Sequence, residues 1–560
     1  MKKLLSLMLI VFPAIIFSQQ ENVPLDNDVY SFLKEMNVKG IIRGIHDDSP
    51  NMSRFEVDSF LKIIESHYTE LSNTEIDLLN KYKIEFCPES ANKENTFQLF
   101  GNDDSFKGVT SDLLSDKIKY TYAYKNKDGN FFLNTIGRIV GGSVFKPSMN
   151  NSQLYDIGVT MRGTVFNNLG YYLNVTKGTV SGSDYWAATF DPRMLYTFKY
   201  LEAMAGAETM ASYDFSDGYL RYYWQPSDNI NLSLQLGREK IKFGYGYGSK
   251  LVISGDHPEL DFFRLNFNWG MFSFTSITAS TVGRFYFDRD LDGTKYLALN
   301  RFKLNIPNLF EFGLGENIIY AGRGVDLAYL NPFTFYKFTE MSLQDRDNGT
   351  LWLDFQTHCF NNFEISGTFF LDEDILSNLQ DLTNFRNKTA YQIGMFWYSP
   401  FSINDLSLVC EYTKIRPYVY SHEREITSYT SYGQMLGHPI GPNSDELLFR
   451  ASFNASARLN FRLDYQLIRS GKNIYNANGN LVFNAGGDAF VPYRWYIDPD
   501  HINFLDGIRI NQNIITAEVK YEPIRKVVFD LIYKLITQNN ISISETSTTS
   551  FAMLKLQFEI

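Results

Sequence analysis

The residues best equipped for chemistry crowd into "LGREKIKFGYGYGSKLVISGDHPELDFFRLNF", positions 236 to 267. Tyr245 and Tyr247 alternate with Gly244, Gly246 and Gly248, and Arg238, Lys240 and Lys242 lie just upstream. Tyrosine rings can stack on sugar faces, and guanidinium or ammonium groups can pair with uronate carboxylates. The glycine spacing is not G-x-G-x-x-G and follows no βαβ pattern, so it does not point to a dinucleotide. The bland alternative is a bulged strand end whose tyrosines belong to a membrane-interface girdle.

Other clusters carry weaker signals. "DRDLDG" (288–293) repeats the first half of a calcium loop with Asp288, Asp290 and Asp292, but Leu299 stands where the bidentate glutamate belongs. A solvated acidic loop is the default reading, and no metal or other cofactor is expected. His257 in "SGDHPE" and His438 in "MLGHPIGP" sit in no nucleophile elbow or zinc spacing, and each precedes a proline. Both read as loop-ordering residues, and the chain is not expected to be an enzyme.

The elements that must hold these residues follow from hydrophobic period. "MKKLLSLMLIVFPAIIFSQQ" has two lysines and an apolar run from Leu4 to Phe17, too short for a comfortable span, so residues 1–18 read as a secretory signal cleaved after Ser18. Residues 23–90 are helical. Val29, Phe32, Leu33 and Met36 share one helix face, and "SRFE" and "SNTE" form capping boxes at Ser53/Glu56 and Ser72/Glu75 with flanking staples Met52/Val57 and Leu71/Ile76. The order of "VKGIIRGIHDDSPNMSRFEVDSFLKII" resembles an S-layer-homology unit, which would imply contact with peptidoglycan or another periplasmic partner; a helical plug without a ligand is the alternative. Residues 91–117 read as a linker.

From residue 118 to 560 the period is two. "INLSLQLG", "RLNFRLDYQL" and "VVFDLIYKL" each put apolar side chains on one face and polar ones on the other, over lengths that suit a tilted bilayer crossing. Eight short turns, at 166–170, 225–229, 268–270, 306–308, 360–362, 398–405, 454–457 and 522–526, alternate with long links such as 181–217, 239–261, 321–350, 414–446 and 469–512. That asymmetry predicts an all-β transmembrane barrel of about eighteen antiparallel strands, with the helical module in the periplasm. The count is good to two strands, because "YAYKNKDGNFFL" (122–133) can form an extra hairpin. The closing "MLKLQFEI" must pair with the first strand, its apolar face on outer-membrane lipid; Ile560 stands where proteobacterial barrels usually end in an aromatic residue.

The composition agrees. Aromatics make up 16% of 560 residues, charged residues 21%, and mean hydropathy is −0.23, as expected when lumen-facing polar residues dilute a lipid-facing band. Three cysteines far apart suggest no disulfide framework, and a net charge of −11 argues against nucleic acid.

Taken in order, "GREKIKFGYGYGSKLVISGDHPELD", "GENIIYAGRGVDLAYLNPFTFY" (315–336), "DNGTLWLDF" (347–355) and "LGHPIGPNSDELLF" (436–449) resemble the Wzi capsule-assembly family of outer-membrane proteins. The resemblance implies an eighteen-stranded barrel with a periplasmic helical bundle, and extracellular loops that bind, anchor or organise capsular polysaccharide. Under that expectation the sugar contacts are Arg238, Lys240, Tyr245, Tyr247, Arg323 and Tyr329. A diffusion channel or substrate-specific porin is the alternative, and a barrel lipid or glycan hydrolase a more distant one.

Overall fold

The computed structural model describes residues 19–87, 94–101, 110–195, 212–282, 294–372 and 380–560. The export-signal reading (1–18) and the acidic loop with Asp288, Asp290 and Asp292 lie outside the described residues.

Strands form where the period-two runs predict them. The wall begins with β1 (Gly129–Lys146), β2 (Asn150–Val165), β3 (Leu169–Gly182), β4 (Ser212–Ser227), β5 (Ile230–Glu239) and β6 (Leu260–Trp269). It continues with β7 (Phe272–Val282), β8 (Thr294–Ile306), β9 (Phe310–Ala321), β10 (Asn348–Thr357), β11 (Phe363–Asp372) and β12 (Thr389–Tyr398). The remaining strands are β13 (Leu406–Ile415), β14 (Ser444–Ser456), β15 (Leu459–Lys472), β16 (Ile508–Ile524), β17 (Val527–Asn540) and β18 (Glu545–Glu559). Each pairs antiparallel with the next, and β18 returns to β1 with Leu554 opposite Gly141 and Phe558 opposite Gly137. The result is a closed eighteen-stranded barrel. Closure leaves no wall strand edge unpaired in lipid. At the seam, the Phe558 ring lies over Gly137, where a Cβ would sit 2.2 Å from the ring.

All eight short turns fall where the sequence places them. Asn167 and Asn308 occupy their hairpins at φ of +62° and +61°, a left-handed conformation that asparagine tolerates better than most residues. The extra hairpin also exists: Ile118–Asn126 pairs with the first residues of β1, and Thr96–Phe100 pairs with it in parallel. It does not add a wall strand, because β18 takes the same edge of β1 from Ile136 onward. The wall therefore starts at Gly129 rather than 118, and the stretch read as linker contains a strand. Side chains alternate as the pleat requires. On β5, Ser233 and Gln235 are buried while Leu236 is exposed; on β15, Asp464 is buried while Phe461 and Leu463 face outward.

The helical module has three main helices, α1 (Val29–Lys39), α2 (Arg54–Ser66) and α3 (Asn73–Phe86). Both capping boxes form, with Ser53 and Ser72 accepting from the backbone N–H of Glu56 and Glu75 and the glutamates reaching back. Val29, Phe32, Leu33 and Met36 pack in one core with Met52, Val57, Leu61 and Leu79. The module is seated in the short-turn mouth of the barrel. The Asn362 N–H donates to the Val38 carbonyl at 2.8 Å, Ser72 Oγ to Asp405 Oδ1 at 2.8 Å, and Lys526 Nζ to Glu85 Oε1 at 2.7 Å. The module thus plugs this mouth of the barrel.

One seat contact titrates. Glu35 of α1 is buried against β14, where Asn454 donates to it, and burial followed by the nearby Glu75 and Asp405 carboxylates pushes its pKa up to about 8. Between the ordinary value of 4.5 and 8, the docked module keeps a proton that a released one gives up. Docking stability is therefore full at acid pH and lost as pH rises through about 8. Proteolytic release of the module should increase from pH 6 to pH 9 in the wild type, whereas Glu35→Gln should flatten this dependence; equal pH dependence in both proteins would contradict the assignment.

A two-sided plug and an extracellular cleft

The glycine-tyrosine segment between β5 and β6 turns into the barrel. Gly244 adopts φ +99°, and a Cβ on Gly246 would lie 2.7 Å from Gln392 Oε1, so glycine lets the chain run against the wall. Phe243 and Ile253 exchange backbone hydrogen bonds to make a hairpin. Its apolar residues Ile241, Phe243, Leu251, Val252 and Ile253 join wall residues Leu297, Leu299 and Trp352 in a fully buried core. The link between β13 and β14 descends beside it. Tyr420 and Tyr429 stack at 5.3 Å, and their hydroxyls donate to the carbonyls of Leu251 (2.7 Å) and Val252 (2.8 Å). The upper lumen is therefore an apolar core, in contrast to the polar lumen expected from the alternation alone.

From the other side, the loop between α1 and α2 rises into the lumen and meets this hairpin. The Gly244 N–H donates to the Asp48 carbonyl at 2.8 Å, and Lys250 Nζ to the Asp47 carbonyl at 2.9 Å. Charges seal the junction. The Asp48 carboxylate bridges Arg301 and Lys303; Lys303 also reaches Glu311 at 3.2 Å, and Arg301 reaches Asp354 at 2.6 Å. Burial opposes ionisation of Asp48, but Lys303 and Arg301 outweigh it and hold the carboxyl well below its usual range. A small cavity of about 40 Å³ beside it is lined by Arg221, Arg264, His46 and Glu56.

These contacts relocate most of the residues expected to touch sugar. Tyr245 is buried deep in the lumen with its hydroxyl 2.5 Å from Glu311, and Tyr247 donates to Glu364 at 2.8 Å. Tyr329 is fully buried, donating to Asp347 at 2.8 Å, and Arg323 is held by Asp347 and Asp326. Buried rings have no free face for a glycan, so Tyr245 and Tyr329 serve packing instead. Arg238 stays at the rim, paired with Asp261 at 2.9 and 3.0 Å, and the Lys240 carbonyl accepts from Asn51. His257 is buried, and that burial lowers its pKa to about 4, while His438 Nε2 faces Glu446 at 3.3 Å. Among the described residues, no cluster of metal-ligating side chains occurs. Cys359 and Cys410 form no disulfide.

A different surface is open. Above the plug, a cleft of about 470 Å³ is lined by Asp256, Gln434, Lys472, Asn473, Tyr475 and Asp488. It belongs to the long-loop, extracellular end. Tyr432 and Gly433, both at positive φ, turn the short hairpin that carries Gln434. The Asn473 carboxamide is oriented by the N–H groups of Ala485 and Gly487, which both donate to Oδ1. That leaves Asn473 Nδ2 without a partner, as is Gln434 Nε2. In the same β15–β16 link, Trp495 and Tyr475 are half exposed and Tyr496 is fully exposed. The sequence analysis missed these residues; the signal available was the aromatic run "YRWY" in the longest link.

Together the sealed lumen and the loop-built outer face define a plugged outer-membrane β-barrel. No described helix is long and apolar enough to cross a membrane. The chain belongs to the capsule assembly protein Wzi family, whose model matches residues 158–519. Among solved structures it is similar to Escherichia coli Wzi, described as an outer membrane protein involved in group 1 capsule assembly and a carbohydrate-binding β-barrel. That likeness has 12% identity and a TM-score of 0.54, and covers 96% of this chain and 99% of that one. It is also similar to Pseudomonas aeruginosa OprD, with 10% identity, a TM-score of 0.43, and coverage of 77% and 93%. No curated protein matches the sequence.

Removing the Asp48 charge should loosen the joint. Asp48→Asn leaves Arg301 and Lys303 buried with less compensation, a change that costs about 3 kcal/mol or more at comparable sites. Trypsin should then cut after Arg43 at lower urea concentration than in the wild type; an unchanged cleavage midpoint would show that Asp48 does not hold the plug.

Proposed function

We propose that this protein binds, anchors or organises capsular or other extracellular polysaccharide at the cell surface through its extracellular loops, without acting as an enzyme. The observation that carries the reading is the pairing of a sealed lumen with an open outer cleft lined in part by the exposed ring of Tyr475. Sugars offer ring faces to exposed aromatics. Asp256, Lys472 and Asp488 give the cleft both charge signs, which suits a polymer carrying acidic and hydroxyl groups. The family shown for the chain, and the carbohydrate-binding description of E. coli Wzi, support the same reading.

The contact set moves accordingly. Tyr475, Trp495 and Tyr496 replace Tyr245 and Tyr329 as stacking residues, Lys472 and Asp488 supply charge, and Arg238 remains a rim contact. Each contact is weak, and one polymer bridging many barrels converts weak contacts into retention. The non-enzymatic part of the reading is supported by His257 and His438 being committed to loop packing.

Binding of the purified barrel to the host's own surface polymer tests this reading. Losing a stacking ring costs about 1 kcal/mol, so Trp495→Ala combined with Tyr496→Ala should weaken binding by an order of magnitude or more. In cells, deleting the protein should leave polymer synthesis intact and release polymer to the medium. Unchanged cell-bound glycan in the deletant, or no binding by the wild-type barrel, would overturn the proposal.

A further inference from the structure

The link between β9 and β10 packs on the outer face of the wall, unlike the β5–β6 and β13–β14 links, which enter the lumen. Arg301 and Lys303 of β8 point into the lumen, where they hold Asp48, so the pleat turns Asn300 and Phe302 outward. Directly across the ladder, Asn300 pairs with Ser276 of β7 and with Glu316 of β9, which makes one outward-facing row of three polar residues. Asn300 is six residues above the turn at Ile306, and Glu316 is six above Phe310. With a tilted strand that is roughly 15 Å up an apolar band about 25 Å tall. At the same height on β2 and β3, six residues from Val165 and Leu169, stand the exposed Val159 and Val175.

A polar row at that depth is costly unless covered and bonded. Ser276, Asn300 and Glu316 are 7%, 3% and 5% exposed, and the β9–β10 link is what covers them. Asn300 Nδ2 donates to the carbonyls of Pro332 (3.3 Å) and Thr334 (3.4 Å), and Glu316 Oε2 accepts from the N–H of Tyr336 at 2.8 Å. The two carbonyls lie in the irregular stretch between two short helices, α4 (Leu327–Leu330) and α5 (Tyr336–Ser342), and the Tyr336 N–H is in the first turn of α5, so helical bonding does not satisfy them. Tyr329 and Tyr336 pack on the outward Ala298, Ile318 and Tyr320, and the Phe333 ring lies parallel to Phe274 at 6.4 Å. At the base of the link, Arg323 and Tyr329 both grip Asp347.

The opposite face of the link is greasy. Leu327 is 78% exposed, Phe333 89%, Phe338 71% and Met341 64%. These side chains continue the barrel's apolar band over a sector in which the wall is polar. We infer that residues 322–347 form a flap lying on the outside of the barrel wall within the outer leaflet, with Phe333, Phe338 and Met341 seated among lipid acyl chains. Wall and flap are complementary: Asn300 and Glu316 satisfy the flap's backbone, and the flap supplies the lipid contact that Asn300 and Glu316 cannot make. Arg323 and Tyr329 accordingly belong to a membrane device and not to a glycan site, and the inference stands whether or not the protein binds polysaccharide.

Nitroxide labelling tests it in the full-length protein with Cys359 and Cys410 replaced by serine, reconstituted in vesicles of phosphatidylethanolamine and phosphatidylglycerol. Labels at Phe333→Cys and Phe338→Cys should collide with oxygen and be shielded from a water-soluble nickel chelate, giving an oxygen-to-chelate accessibility ratio several-fold above that of Tyr496→Cys. Chelate access equal to that at 496 would place the flap in water and overturn the inference. Shielding from both reagents would mean that a second copy or another protein covers the face, and would overturn it equally.

Discussion

The carboxylate of Asp48, buried between Arg301 and Lys303, is the contact on which the interior depends. Those two cations sit on β8 facing a lumen that the inward-folded hairpin has largely desolvated from above. Their charge has to be met inside the barrel, and Glu311, Asp354 and Asp48 set three carboxylates against the two cations. Asp48 contacts both cations and is carried by the loop between α1 and α2, so this ion cluster also fixes where the helical module docks. The backbone of the same residue receives the Gly244 N–H from the extracellular hairpin. One residue thus joins the periplasmic and extracellular halves of the plug.

The wall imposes the complementary condition on its outer face. Bilayer contact demands apolar side chains and fully paired backbone, and period-two alternation meets this around most of the circumference. Where β7, β8 and β9 present Ser276, Asn300 and Glu316 instead, chain from the β9–β10 link is laid over them. Arg301 and Lys303 inside, and Asn300 and Glu316 outside, all receive partners from connecting segments. The segment over Asn300 and Glu316 turns its own apolar residues away from the wall. At the extracellular end a large cleft stays open above the plug, with the exposed Tyr475 in its lining, and so it, and not the buried glycine-tyrosine segment, stands out as a place for a ligand.

The parts of this architecture that were legible in sequence are those governed by short-range physics. Strand faces, all eight short turns, the strand count and both capping boxes depend on residues within a few positions of one another. The fate of the long links was not legible, because it depends on partners far along the chain. Tyr245 and Tyr496 look alike as tyrosines in polar loops; one is buried because Glu311 accepts its hydroxyl, and the other faces solvent. Tyr329 is buried because its link packs on the wall around Asn300 and Glu316, partners more than ten residues away in sequence. Asn473 gave no local signal, since its carboxamide is oriented by the N–H groups of Ala485 and Gly487 more than ten residues away.

The central claim is that the cylinder is closed from both ends by chain that meets at Asp48 and Gly244. Planar-bilayer recording of the purified full-length protein tests this most directly. The account predicts silence at moderate voltage in neutral buffer, because ions find the lumen filled by the hairpin above and the α1–α2 loop below. A steady large conductance from every inserted molecule would contradict it and would favour a diffusion channel.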